Sequence, residues 1–560
     1  MGGDRFVERQ SLMLRCVAFV VAVYVFCVIF DPFFFDYRPW VLPLRQLYSC
    51  MLAAGVLYLC VRLKYVGLLL YSVFTILSAG FFYAYKVFGY SAGFEVVNAA
   101  FETNLHELSG FLGYKLYVYL VGYGVVIPLI YFAVVYALGW KKVCIRSCCA
   151  LVVVAGLWAV MYMIPPCTIG VRHGLYVKLS DNTLREDAEV MLSAGMMNSR
   201  IAYNRWRLPY SNLIALYEGL DEYFQDVQID AASVYPSFDK RPDEELVFVL
   251  ILGESIRGDH VPAGGYVRNT MPICSSRADV CFFSRMYSYG PYTNESIQGM
   301  LSGLVNNKNM SLRTSFASIL QKHGFNNSWY AENTGDILSS RLFYSAYGKY
   351  MQDRKVCRAP IADVARIILA DVKSQKTGRQ LLIVENGTGH YPYHNEDAYD
   401  VFYPCNKDWL APSREDDAER IVNDYDNCIV ALDSFFAKLM DGLHDKNAVL
   451  LYVSDHGQFL GEGGRYMHGG VPENELLRHV ASFIWFSDEY ERRHPELVAE
   501  MKSVKDKLLV HGQIYATVLK LCGIESEVPL DIGDFVKGDV REVEHNLPKS
   551  MNVPSRVVEK

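Results

Sequence analysis

The chain has 560 residues, with 54 Lys and Arg against 61 Asp and Glu, a net charge of −7, and 51% hydrophobic residues. That length is too great for one ordinary domain, and the balance leaves no basic footprint, so no nucleic-acid partner is expected. The charge is also split: residues 1–165 hold 12 Lys and Arg and 7 Asp and Glu, a net of +5, whereas the remainder carries −12.

The N-terminal part contains five apolar runs, near 12–31, 44–61, 65–85, 116–139 and 148–165. A membrane span needs about 20 mostly apolar residues, so five transmembrane helices are predicted over 1–165. Arg5, Arg9 and Arg15, then Arg62 and Lys64, then Lys141, Lys142 and Arg146 mark alternate loops as basic. The other two loops carry Asp31, Asp36, Glu95, Glu102 and Glu107. Basic loops stay on the cytoplasmic side, which puts the N-terminus inside and residues 166–560 outside. The first run lacks a small-residue cleavage site and is read as a retained anchor. Six cysteines lie in the outer part, Cys274, Cys281, Cys357, Cys405, Cys428 and Cys522, an even number that permits up to three disulfides without fixing their pairing.

Residues 166–240 read as a linker with interfacial helices, from helical spacing over 184–197 and 208–224. From 241 to 540 strands and helices alternate. Strands are predicted at 246–252, 327–331, 380–385, 448–453 and 482–486, and helices at 294–305, 313–323, 361–374, 416–442 and 511–522. This alternation argues for an α/β sandwich around a largely parallel sheet. Residues 541–560 read as a loosely ordered tail.

Two of these strands end in acids. The run 246–252 leads into Gly253-Glu254-Ser255, and 448–453 ends in Ser454-Asp455-His456-Gly457. Parallel sheets present ligands at their carboxyl edge, and mixed oxygen and nitrogen donors suit zinc. Between the two lies Gly290-Pro291-Tyr292-Thr293, followed by helical spacing, with Thr293 at the helix start. A Thr there caps the helix. It also becomes a nucleophile if a zinc ion held by Glu254, Asp455 and His456 lowers the hydroxyl pKa. The helix N-terminus would favour a phosphoryl group on that oxygen. His390 and His468 both follow expected sheet edges and are candidates for a second metal ion, for phosphate contact, or for proton donation to the leaving group. His394, Arg257 and Arg465 flank the same loops.

With these motifs in place the chain resembles the bacterial phosphoethanolamine transferases that modify lipid A and lipopolysaccharide, relatives of the colistin-resistance transferases. The resemblance rests on Gly253-Glu254-Ser255-x-Arg257, Thr293 with Met300-Leu301-Ser302, Ser454-Asp455-His456-Gly457 and Tyr466-x-His468-Gly469. It implies five N-terminal spans in the bacterial inner membrane and a periplasmic alkaline-phosphatase or sulfatase-like catalytic domain. Glu254, Thr293, Asp455 and His456 would bind one zinc ion firmly, with a second open during turnover. Thr293 would carry phosphoethanolamine taken from phosphatidylethanolamine. His390 and His468 would complete the site, and Asn104 and Glu107 would lie near the donor headgroup. The acceptor would be lipid A, lipopolysaccharide core or another envelope glycan. The chain departs from the pattern at Gly389, which stands before His390 where the family has Ser or Thr. Glu332-Asn333-Thr334-Gly335-Asp336 replaces a donor lysine segment.

Two other readings stay open. A phosphoglycerol transferase of the lipoteichoic-acid type shares the spans and a Thr nucleophile. A non-catalytic scaffold would keep the fold alone. A sulfatase is disfavoured, because Thr293-Asn294-Glu295-Ser296-Ile297 lacks the Cys/Ser-x-Pro-x-Arg sequence from which those enzymes make their nucleophile.

Overall fold

In the computed structural model the described residues are 243–291, 293–302, 315–332, 347–357, 359–375, 378–391, 393, 397–405, 417–462, 466–468, 474–524 and 534–537, with scattered residues between 65 and 129. The chain divides into two units, and all described residues from 243 onward belong to the second.

In the first unit the described residues are helical around 65–76 and 120–129, with a π-helical turn at Gly122–Val126. Tyr65, Leu69, Val73 and Ile76, spaced three or four apart, form an exposed apolar face. Among the described residues no helix is long and apolar enough to cross a membrane. The five expected spans lie almost wholly outside the described residues, as do the linker at 166–240 and the tail at 541–560.

The second unit is built on a seven-stranded sheet. The strands in chain order are β1 (Leu246–Gly253), β2 (Val280–Phe282), β3 (Met286–Tyr287), β4 (Asn326–Glu332), β5 (Asp353–Cys357), β6 (Arg379–Asn386), β7 (Ala448–Ser454), β8 (Phe459–Leu460), β9 (Tyr466–Met467), β10 (His479–Val480), β11 (Ser482–Phe486) and β12 (Leu509–Val510). The main sheet runs β2-β11-β7-β1-β6-β4-β5, with β11 antiparallel to its neighbours and the other pairings parallel. All eight residues of β1 are buried, because it lies at the centre with helices over both faces. Its sequence is accordingly apolar without alternation.

The longer helices are α1 (Thr293–Ser302), α2 (Phe316–Lys322), α3 (Ile361–Ser374), α4 (Asp417–Leu443) and α5 (Ile514–Leu521). On one face Leu246, Phe248, Leu250 and Leu252 of β1 share a core with Ile297, Met300 and Leu301 of α1, Phe316 and Leu320 of α2, and Ile514 and Val518 of α5. On α4, Tyr425, Cys428, Leu432, Phe435, Leu439 and Leu443 recur at helical spacing and are fully buried. Phe436 of α4 meets Tyr452 of β7 with ring centroids 4.5 Å apart. Each fully buried side chain of this size stabilises the fold by roughly 1.5–3 kcal/mol, so the edge that carries the site sits on the most firmly packed strands.

The five predicted strands and five predicted helices of this unit are all present, shifted by no more than a few residues at their ends. Cys274, Cys281 and Cys522 are free thiols, so the three bridges that an even cysteine count permits do not form.

Candidate metal centre

Register places the site. Gly253, the last residue of β1, stands opposite Asn386 of β6 on one side and Ser454 of β7 on the other. The three loops therefore leave the sheet at one level. Asp455 N continues the ladder by one step, donating to Gly253 O at 2.9 Å. Glu254 and Asp455 emerge side by side, and His456 follows.

The donors converge on His456 Nε2. Thr293 Oγ1, on the first residue of α1, lies 3.1 Å from it and 3.3 Å from Glu254 Oε2. Asp455 Oδ2 lies 3.3 Å and Glu254 Oε1 3.5 Å from the same nitrogen. His456 Nδ1 donates to Gly457 O at 3.0 Å, which fixes the tautomer and puts the lone pair on Nε2. An imidazole lone pair and two carboxylates thus face one another, an arrangement that repels unless a cation sits among them. Four ligands around zinc at about 2.0–2.1 Å form a tetrahedron with edges of about 3.3–3.4 Å, close to the spacings found. Asp455 Oδ2 is buried and accepts no hydrogen bond among the described residues, as expected for an oxygen reserved for a metal. Glu254, His456 and His468 also offer ligand atoms within 4.8 Å of one another, so the two donor sets share Glu254 and His456.

Electrostatics agree. Burial pushes the Asp455 carboxyl well above its ordinary range, and the charge of Glu254 pushes the same way. Burial also works upward on Glu254, but attraction to His456 and His390 brings it below the usual value. Burial holds the His456 imidazole down, and burial with the neighbouring His456 and His390 holds His468 well down. Neutral imidazoles keep their lone pairs available to a metal.

Strain gathers at the same place. Among the described residues only Ser255 (φ 60°) and Met467 (φ 69°) are non-glycine residues in the left-handed region. Each adjoins a donor, Glu254 and His468 respectively. Such backbone costs about 1–3 kcal/mol per residue and persists where the surroundings fix it. Ser255 is fixed by Asp455 Oδ1, which accepts from Ser255 N at 2.9 Å, and Ile256 N donates to Ser454 Oγ at 2.7 Å. Met467 belongs to the β8–β9 hairpin, in which Phe459 pairs with Met467.

His468 lies between the other two imidazoles, its ring 3.9 Å from His456 and 6.4 Å from His390, centroid to centroid. His390 Nδ1 donates to Tyr391 O at 2.6 Å, leaving Nε2 as the basic nitrogen. The Gly389 that precedes it has a steric cause. A Cβ there would stand 2.0 Å from Glu254 O and 2.5 Å from Ile256 Cδ1. The β6 loop packs directly on the backbone of the Glu254 turn, and only glycine permits the approach.

Arg257, which flanks the Glu254 turn, is engaged by the protein itself. It is 3% exposed, and its guanidinium is taken up by Asp259 at 2.6 and 2.8 Å, by Glu462, and by Gln458 O at 3.2 Å. It ties the Glu254 turn to the loop leading into the β8–β9 hairpin. Asp259 lies two positions on in the chain, whereas Glu462 is 205 positions away. Asn104, Glu107, His394 and Arg465 lie outside the described residues. Sequence reasoning missed Tyr425, whose hydroxyl donates to Ser255 O and accepts from Arg257 N, each at 2.7 Å. It also missed His511, fully buried, whose Nε2 donates to Ser454 O at 3.0 Å. Both read in the sequence as ordinary residues of helical stretches.

Two family models match the chain, Sulfatase over residues 247–524 and Phosphoethanolamine transferase EptA/EptB over residues 50–166. The chain is therefore similar to the phosphoethanolamine transferase family over its N-terminal match and carries a sulfatase-type match after it. Among curated members of that family, the phosphatidylethanolamine transferase Mcr-2 of Escherichia coli is 27% identical over 314 residues, covering 52% of this chain and 56% of the relative. The phosphoethanolamine transferase EptA of Helicobacter pylori is 24% identical over 479 residues, covering 82% and 84%. The chain thus spans about half the length of the first curated relatives that it matches. The solved structure of the integral membrane protein lipooligosaccharide phosphoethanolamine transferase A from Neisseria meningitidis matches with a TM-score of 0.67 at 20% identity, covering 91% of this chain and 96% of that one. The described second unit thus has a sulfatase-type α/β fold.

Proposed function

We propose that this protein transfers phosphoethanolamine from phosphatidylethanolamine to lipid A, lipopolysaccharide core or another envelope acceptor, through a covalent phosphothreonine on Thr293. The observation that carries the proposal is Thr293 Oγ1 at 3.1 Å from His456 Nε2 and 3.3 Å from Glu254 Oε2. Glu254, Thr293, Asp455 and His456 would hold one zinc ion, with His468 as a further ligand within reach. Zinc bound there would lower the hydroxyl pKa and polarise the phosphoryl oxygen.

The residues then divide the work. Thr293 Oγ1 gives up its proton and attacks phosphorus; the bond from phosphorus to the diacylglycerol oxygen breaks, and that oxygen takes a proton. His390 and His468, whose rings lie 6.4 Å apart, would contact the phosphate and supply that proton. In the second step an acceptor hydroxyl or phosphate oxygen attacks phosphorus, the bond from phosphorus to Thr293 Oγ1 breaks, and Thr293 Oγ1 takes up a proton. The amino end of α1 favours the anionic phosphoryl group throughout. Asn104 and Glu107 would lie near the headgroup of the donor. The apolar exposed face at Tyr65, Leu69, Val73 and Ile76 supports a lipid-embedded N-terminal part. Five spans in the bacterial inner membrane, over 1–165, would leave a catalytic domain at 241–540 in the periplasm, where donor and acceptor share a leaflet.

The test is incubation of the full chain with headgroup-labelled phosphatidylethanolamine, without acceptor, followed by peptide mapping. Label is expected on the Thr293 peptide and absent from the Thr293→Ala protein. Label from phosphatidylglycerol in its place would favour the phosphoglycerol reading, and no label from either donor would leave Thr293 without a covalent role.

A further inference from the structure

We propose that Tyr425 is a positioning residue: its hydroxyl clamps the left-handed turn at Ser255 and so aims the Glu254 carboxylate at the metal. The inference rests on the metal-centre reading above.

The ladder of β1 ends at Gly253. Beyond it Ile256 O accepts from Ala481 N at 2.9 Å and Arg257 bridges to Val480, while the buried Ser255 O and Arg257 N are met by a side chain. Tyr425, fully buried on α4, supplies two contacts from one oxygen. It donates to Ser255 O at 2.7 Å and accepts from Arg257 N at 2.7 Å. These two groups bracket Ile256, so the hydroxyl fixes the path of the chain just after Ser255 (φ 60°). Asp455 Oδ1 and Ser454 Oγ hold the amide side of this turn; without the clamp its carbonyl side loses its partner at a residue that disfavours positive φ, and the carboxylate one residue earlier would shift with it.

The ring cannot swing aside. His260 and Tyr393 pack edge-on against it, each with centroids 5.2 Å away. Tyr393 in turn meets Tyr391 at 5.5 Å, on the loop that carries His390. The next residue, Asp426, is fully buried. It accepts from Tyr266 OH at 2.7 Å and Arg268 Nη1 at 2.8 Å, and pairs with His260 Nδ1 at 2.9 Å. That network locks α4 against the segment after the Glu254 turn. The Tyr425 oxygen is engaged on both sides by backbone and has no place in proton transfer, which leaves positioning as its contribution.

The experiment measures zinc affinity of the full chain in detergent by competition with a chromophoric chelator. The proteins are wild type, Tyr425→Phe, Ser255→Gly and the double variant, and kcat and KM for phosphatidylethanolamine are measured beside the affinity. Tyr425→Phe is expected to weaken zinc binding by about tenfold, the size carried by groups that orient metal ligands, and to lower kcat while KM holds. In the Ser255→Gly background the same substitution is expected to cost less than about threefold, because glycine takes positive φ without help. Equal zinc affinity in wild type and Tyr425→Phe would overturn the proposal while leaving the metal centre intact. An equal loss in both backgrounds would also overturn it, by making Tyr425 a packing residue. Wild type without zinc affinity would overturn the metal centre itself.

Discussion

Asp455 carries the sharpest tension in the site. One of its oxygens accepts from Ser255 N and His456 N, at 2.9 and 2.7 Å, while the other is buried and has no donor among the described residues. A buried polar atom left unpaired costs about 1–3 kcal/mol. Asp455→Asn keeps the first oxygen and removes the charge. After chelation the Asn protein is expected to be more stable than chelated wild type by about that amount, and in zinc the order is expected to reverse. Thermal melts of both proteins with and without chelator read this directly; wild type the more stable in both conditions would mean that Asp455 is not a metal ligand. The gathering of Glu254, Asp455 and His456 at one sheet edge was legible, because they follow apolar runs that read as strands. The role of Arg257 was not legible, because its partner Glu462 is 205 positions away, and no local pattern reports a contact of that kind.

The elements that approach most closely are the loops after β1 and β6. Gly389 leaves no room for a Cβ against Glu254 O. Gly389→Ala is therefore expected to destabilise the domain by about 1–3 kcal/mol, as other overpacking changes do, and to lower zinc affinity, since the displaced backbone is that of a ligand. Unchanged stability and affinity would show that the loop moves freely. A second expectation concerns the segment that includes His511. Burial, with the nearby Arg478 charge adding to it, pushes that imidazole down to about 3, from about 6.5 in an unfolded chain. Between those values the unfolded chain binds a proton that the folded chain refuses. Stability from this group is thus fully present above pH 6.5 and is lost as pH falls toward 3, by up to about 1.4 kcal/mol per unit. His511→Gln keeps a donor for Ser454 O and cannot titrate, so melts between pH 7 and 5 are expected to depend less on pH; an unchanged slope would contradict the assignment. The sequence hid β5 for a plain reason. Asp353, Arg354 and Lys355 are exposed on an edge strand, where burial imposes no apolar pattern.

At the scale of the whole molecule, one sheet edge gathers residues from positions 254, 293, 390, 455 and 468, and a sulfatase-type domain supplies that edge. The alternation of strands and helices made the architecture readable from sequence. The closeness of the loops was not readable, because it depends on the register of β1 with β6 and β7. If the proposed metal holds Glu254, Thr293, Asp455 and His456 together, its removal acts on chemistry and structure at once. Transfer activity is expected to vanish on dialysis against chelator and to return with zinc, and activity that survives complete removal would argue against a metal-dependent Thr293. The most direct measurement is an anomalous difference map recorded at the zinc edge from crystals of the zinc-soaked protein. The expected result is a peak within about 2.3 Å of His456 Nε2, Thr293 Oγ1 and carboxylate oxygens of Glu254 and Asp455. A peak elsewhere, or none, would contradict the central claim.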